Sequence, residues 1–171
     1  MVRSLSFIHL FIILAVGYIG GALLYRDMPT VAIERVIALY DVRVVGGHEA
    51  GYSRPIGTVA LFFIVTFAIA SFSKTRFLVL FLGAVKCVFF GLSSSYLLGS
   101  GAKMMAYSIW WFPFQFIGCF LFLMYCAILT PPYFMNTTLG KRRNMRALPT
   151  IIGLSVAVLA IEIIVFQFIL L

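Results

Sequence analysis

At 171 residues, 63% hydrophobic and only 11% charged, this chain is too apolar for a soluble domain, where about a quarter of residues are charged. The formal net charge of +8 reads as charge flanking membrane segments and fixing their topology, so nucleic acid is not expected as a partner. The lipid bilayer is therefore the expected solvent for most of the surface, and a separate soluble domain of ordinary size does not fit in what the apolar runs leave over.

Segments of about 20 apolar residues cross a bilayer as helices, and the runs here are continuous rather than alternating, which favours helices over a barrel. The first predicted span covers residues 6–24. It follows Arg3, stops before Arg26 and Asp27, and carries Gly17 and Gly21 four residues apart, a spacing that lets a second helix approach closely. Its length, and the want of a small-x-small cleavage site after it, favour a retained helix over a secretory signal.

Residues 25–55 form one polar external loop with four acidic and four basic residues, so its charge is balanced. Within it Ile33, Val36, Ile37, Tyr40 and Val44 share one helical face, which predicts a short amphipathic helix at the membrane interface. The tract Val42–Val45 is equally compatible with extended structure, and Gly46-Gly47 breaks regular structure. Further spans are predicted at 56–72, 77–98, 104–130 and 149–171. A tight turn with Lys74 and Arg76 joins the second to the third, and Gly99-Ser100-Gly101 turns into the fourth. Pro131-Pro132 ends the fourth, and a basic loop with Lys141, Arg142, Arg143 and Arg146 leads to the fifth. The expected fold is an all-α integral membrane protein, a single five-transmembrane-helix bundle over 1–171 with a short interfacial amphipathic helix in its first external loop.

Lysine and arginine counts set the expected orientation. With the N-terminus cytoplasmic, the inner segments hold Arg3, Lys74, Arg76, Lys141, Arg142, Arg143 and Arg146, and the outer ones hold Lys103 and the balanced loop. The N-terminus is thus expected inside and the C-terminus outside.

Two ionisable residues lie deep in predicted spans, Lys86 in the third and Glu162 in the fifth. A charge at that depth costs about 3 kcal/mol on insertion scales, so each should face the bundle interior and find a partner. Their opposite signs predict that they pair, as a structural register device or as an ion relay, with Gln115 or Gln167 nearby; the alternatives are that Lys86 snorkels, that either residue contacts another subunit, or that each takes another polar partner. Gly83, Cys87 and Gly91 make a small-residue stripe on the third helix, and Pro113 with Gln115 predicts a kink in the fourth. The three cysteines, Cys87, Cys119 and Cys126, lack CxxC spacing and read as packing residues rather than metal ligands or disulfides.

A hydrolase needs a nucleophile with its base, paired carboxylates or metal ligands. The two histidines, His9 and His48, lie in different segments, Ser93-Ser94-Ser95 has no base nearby in sequence, and one intramembrane carboxylate makes no dyad. No catalytic residue, metal or cofactor is expected.

The order of features resembles the stage II sporulation protein M family. The matching features are the Gly-rich first helix (Gly17-Tyr18-Ile19-Gly20-Gly21-Ala22-Leu23), the external loop and the short second turn. The stripe Gly83, Cys87 and Gly91, Pro113 with Gln115, and the closing Ala160-Ile161-Glu162 complete the likeness. The sequence departs from that pattern at Cys87, which replaces a glycine, at Lys86, and at Gly118, where many members carry a glutamate. The resemblance implies a non-catalytic scaffold in a bacterial cell membrane, whose partners are other membrane subunits or cell-wall-cleaving enzymes. Relatives beside circular bacteriocin genes imply export or immunity roles. Composition and spacing leave two further readings open, a transporter using Lys86 and Glu162, and an accessory subunit of a large energy-converting membrane complex.

Overall fold

In a computed structural model of the protein, the described residues are 2–46, 53–72, 75, 77–100, 110–130 and 147–170. The turn residues Lys74 and Arg76, His48, the stretch 101–109 with Lys103, the pair Pro131-Pro132 and the basic loop 141–146 lie outside them. Seven helices are described: α1 (Val2–Asp27), α2 (Thr30–Tyr40), α3 (Val42–Gly46), α4 (Ser53–Ser71), α5 (Phe77–Gly99), α6 (Phe112–Leu129) and α7 (Leu148–Leu170). Among the described residues there is no strand. Five helices are long and apolar enough to cross a membrane, over Phe7–Asp27, Ser53–Ser71, Leu78–Gly99, Phe112–Leu129 and Leu148–Phe168. The chain is a multi-pass, all-α membrane protein.

Neighbouring side chains give the helix directions. Gly17 meets Cys87 and Tyr25 meets Gly99, so α1 and α5 run parallel. Gly83 meets Cys126 while Phe90 stacks on Trp111 at 5.6 Å, so α6 runs against α5. Gln115 reaches Glu162 and Trp110 reaches Phe166, so α7 runs against α6. Of these four spans α1, α5 and α7 therefore run one way and α6 the other, and α1 begins at the opposite end of the bundle from where α7 finishes.

Small residues set the closest approach. A Cβ on Gly91 would collide with the backbone of Tyr18, and one on Gly21 with the backbone of Val88 and Leu92, so α1 and α5 touch main chain to main chain. Lipid tails are as apolar as leucine, so this packing, rather than a hydrophobic drive, holds membrane helices together. Gly83 faces the other way, with its ideal Cβ 2.8 Å from Leu123 Cδ2 of α6. Cys87 is fully buried between these two contacts.

The loop helix α2 has the predicted apolar face, with Ile33, Ile37 and Tyr40 buried. Protein covers that face. Glu34 pairs with Tyr96 near the end of α5, and Tyr40 stacks on Phe89, seven residues deeper in the same helix. At 1.5 Å per residue α2 descends about 10 Å alongside α5. The tract Val42–Gly46 is helical and turns the chain back toward α4. Pro113 sits in the first turn of α6, directly after a π-type turn at Trp110–Trp111, and the residues before Trp110 that the predicted fourth span includes lie outside the described ones. Proline suits that position because its missing N–H would have no helical partner there.

Candidate functional site

The descent of α2 delivers Tyr40, Asp41 and Arg43 to the interior, where α6 presents Gln115 and α7 presents Glu162. Arg43 is the hub. Its Nε donates to Asp41 Oδ1 at 2.9 Å, and its Nη2 donates to Asp41 Oδ2 at 2.8 Å and to Glu162 Oε1 at 2.5 Å. The backbone N–H of Arg43 also donates to Asp41 Oδ1, at 3.0 Å, which fixes the sharp turn between α2 and α3. The guanidinium stands 5.5 Å from the ring centres of both Trp110 and Phe166, a distance at which cation–π attraction adds to the ion pairs. Gln115 completes the cluster, donating from Nε2 to Glu162 Oε1 at 3.1 Å and accepting from the Tyr40 hydroxyl at 2.9 Å.

Asp41, Arg43 and Glu162 are each 3% exposed. Burial alone would lower the Arg43 pKa, but the hydrogen bonds and charges of Asp41 and Glu162 more than reverse this, and the guanidinium is held raised and charged. Burial pushes the Tyr40 phenol well above its ordinary range, so its hydroxyl stays a donor.

The expected pairing of Lys86 with Glu162 is not what forms. Among the described residues the ion pairs are Arg43–Asp41 and Arg43–Glu162. Depth is the physical reason. Lys86 lies nine residues into α5 and Glu162 fourteen into α7, and both helices start at the same end, which separates them by about 7–8 Å along the bundle. Lys86 is nonetheless buried, at 4% exposure, with its ammonium 4.9 Å from the Phe122 ring centre and 5.4 Å from that of Phe62. It lines a narrow crevice with Tyr40, Asp41, Arg43 and Gln115 on one side.

Sequence reasoning placed Glu162, Gln115 and Lys86 inside and missed Asp41 and Arg43, which it counted as balanced loop charge. The available signal was position. Both directly follow the apolar face Ile33–Ile37–Tyr40, so a buried face ending at Tyr40 carries them inward. Among the described residues no three histidine, cysteine or acidic side chains are grouped to hold a metal ion. Cys119 donates to the Lys86 carbonyl at 3.9 Å, and Cys87, Cys119 and Cys126 are all reduced and buried. Ser93 is fully buried as well, on α5, while His9 is exposed on α1.

No family model, no curated protein and no solved structure matches this chain, so the site's own geometry bears the functional reading.

Proposed function

We propose that this protein is a non-catalytic membrane scaffold or subunit of a membrane complex, with its N-terminus cytoplasmic and its C-terminus external. The observation that carries this reading is the double hold on Glu162. Arg43 and Gln115 both donate to its Oε1, which ties the loop, α6 and α7 into one rigid unit. A relay carboxylate must exchange its proton along a chain of polar groups. Toward the other end of the bundle this cluster is followed by Phe122, Leu123, Tyr125, Cys126 and Leu129, none more than 2% exposed. A static clamp under a lipid-exposed surface suits a protein that presents helices to partners. The resemblance to the sporulation family supplies the partner class, membrane subunits or cell-wall-cleaving enzymes of a bacterial cell membrane.

In-membrane cross-linking followed by mild-detergent purification tests it. A defined stoichiometric neighbour is expected, and a monomer with no cross-linked neighbour would refute it. Transport is the second reading, favoured by the polar crevice beside Lys86. It requires that the Lys86→Met and Glu162→Gln double variant, folded and inserted, loses flux.

A further inference from the structure

We propose that Lys86 binds one water molecule, and that this water bridges its ammonium to Asp41 and Gln115. The need arises from the ammonium itself. Lys86 is 4% exposed, and its three N–H groups find, among the described residues, no hydrogen-bond acceptor. The rings of Phe62 and Phe122, centred 5.4 and 4.9 Å away, attract the charge but offer no lone pair. A buried charged donor left without an acceptor is costly, and more so in a low-dielectric interior.

The crevice at Lys86 meets that need. It has room for about one water molecule, and Asp41, Arg43 and Gln115 line it with polar groups. A buried water typically makes about three hydrogen bonds to groups that would otherwise go unpaired. Here the groups can be counted. Lys86 donates to the water oxygen. Asp41 Oδ1 already accepts twice, from the N–H and Nε of Arg43, but Oδ2 accepts from Nη2 alone and keeps a lone pair. Gln115 Oε1 accepts from the Tyr40 hydroxyl and keeps one as well. These two acceptors take the two protons of the water. Arg43 also has a buried Nη1 without a partner, a second donor for the water oxygen.

Charge and size select water over other small ligands. Arg43 and Lys86 against Asp41 and Glu162 already sum to zero. An added anion would leave a net negative charge in a low-dielectric site, at a large desolvation cost. A cation would face two cations and no free carboxylate pair. A neutral molecule this small, which accepts from the ammonium and donates to two oxygens, is water. The bridge also gives Lys86 a route to the carboxylate it does not meet directly. Gln115 donates to Glu162, so the chain Lys86–water–Gln115–Glu162 spans the difference in depth between the two charges. A water-mediated contact of this kind is nearly as favourable in enthalpy as a direct hydrogen bond.

The test uses the full chain, ¹⁵N-labelled at lysine and held in nanodiscs, with solid-state NMR transfer of magnetisation from water protons to lysine Nζ. The Lys86 resonance is assigned as the one missing from Lys86→Met. A water-to-Nζ cross-peak for Lys86 is expected, and it should not change when chloride in the buffer is replaced by gluconate. Val59→Phe and Leu159→Phe each add bulk to a wall of the crevice and leave every polar group in place. Each should abolish the cross-peak while the Lys86 resonance itself persists, and either variant alone suffices if the other does not fold. No cross-peak in the wild type, a cross-peak undiminished in a folded Val59→Phe or Leu159→Phe protein, or a Lys86 shift that follows chloride would each overturn the proposal. Partner cross-linking is a separate readout, so this inference and the scaffold reading fail independently.

Discussion

Replacing Arg43 with methionine isolates the clamp. The side chain is 1% exposed, and the carboxylates it holds are 3% and 4% exposed. Its removal deletes three side-chain hydrogen bonds and turns a neutral four-charge cluster into one with net charge −1. Breaking a buried pair by removing one partner costs about 3–5 kcal/mol. Two donors survive, the backbone N–H at position 43 to Asp41 and Gln115 Nε2 to Glu162, which sets the expectation at about 3 kcal/mol, the lower end of that range. Adding Glu162→Gln restores neutrality, because Asp41 and Lys86 then balance. The double variant should recover about 2 kcal/mol of the loss, a coupling of the size expected for residues in direct contact. Unfolding by SDS titration in mixed micelles measures all four corners of the cycle. An Arg43→Met protein within 1 kcal/mol of wild type, or a double variant no more stable than the single, would show that the clamp is not what fixes the loop.

Gly91→Leu should cost at least about 1–3 kcal/mol by forcing α1 from α5, since its Cβ meets the Tyr18 backbone, whereas Gly20→Ala, with open space around it, should be neutral or slightly stabilising. Thermal unfolding in detergent separates the two. Tyr18→Phe and Ser94→Ala should each cost about 1 kcal/mol, and the pair together less than their sum, because one 2.8 Å hydrogen bond between α1 and α5 is lost either way. Tyr40 gives a pH prediction. Its folded pKa is raised, so its contribution to stability is complete below the unfolded value near pH 10 and is lost as pH rises beyond it, by up to about 1.4 kcal/mol per pH unit. Tyr40→Phe should flatten that part of the alkaline stability curve, and an unchanged curve would refute the assignment.

What was legible in the sequence follows from what each feature depends on. A span needs only its own residues, so the five apolar runs could be read directly. An amphipathic face announces that something apolar covers it but not what. Ile33, Ile37 and Tyr40 would look the same in sequence against lipid as in the protein core, where Tyr40 meets Phe89 and Phe62. The same limit applies to the α5 stripe, where Gly91 serves α1 and Gly83 serves α6 although both share one four-residue spacing. The pairing of Lys86 with Glu162 looked sound because both lie well inside their spans. It failed because loop charge was treated as solvated and because a few residues of depth outweigh opposite sign.

The acidic residues carry the stronger constraint. Four of the five lie in the 25–55 segment, and Glu162 is the fifth. A lone intramembrane carboxylate must be met by a cation at its own level. Lys86 was the only basic residue within a predicted span, and it sits too deep. The remaining source was a segment outside the spans that folds inward, and among the described residues α2 is the amphipathic element there with an arginine just past its buried end. Fold and site are therefore coupled. The loop enters the bundle because Glu162 needs Arg43, and Glu162 is tolerated in the membrane because the loop enters.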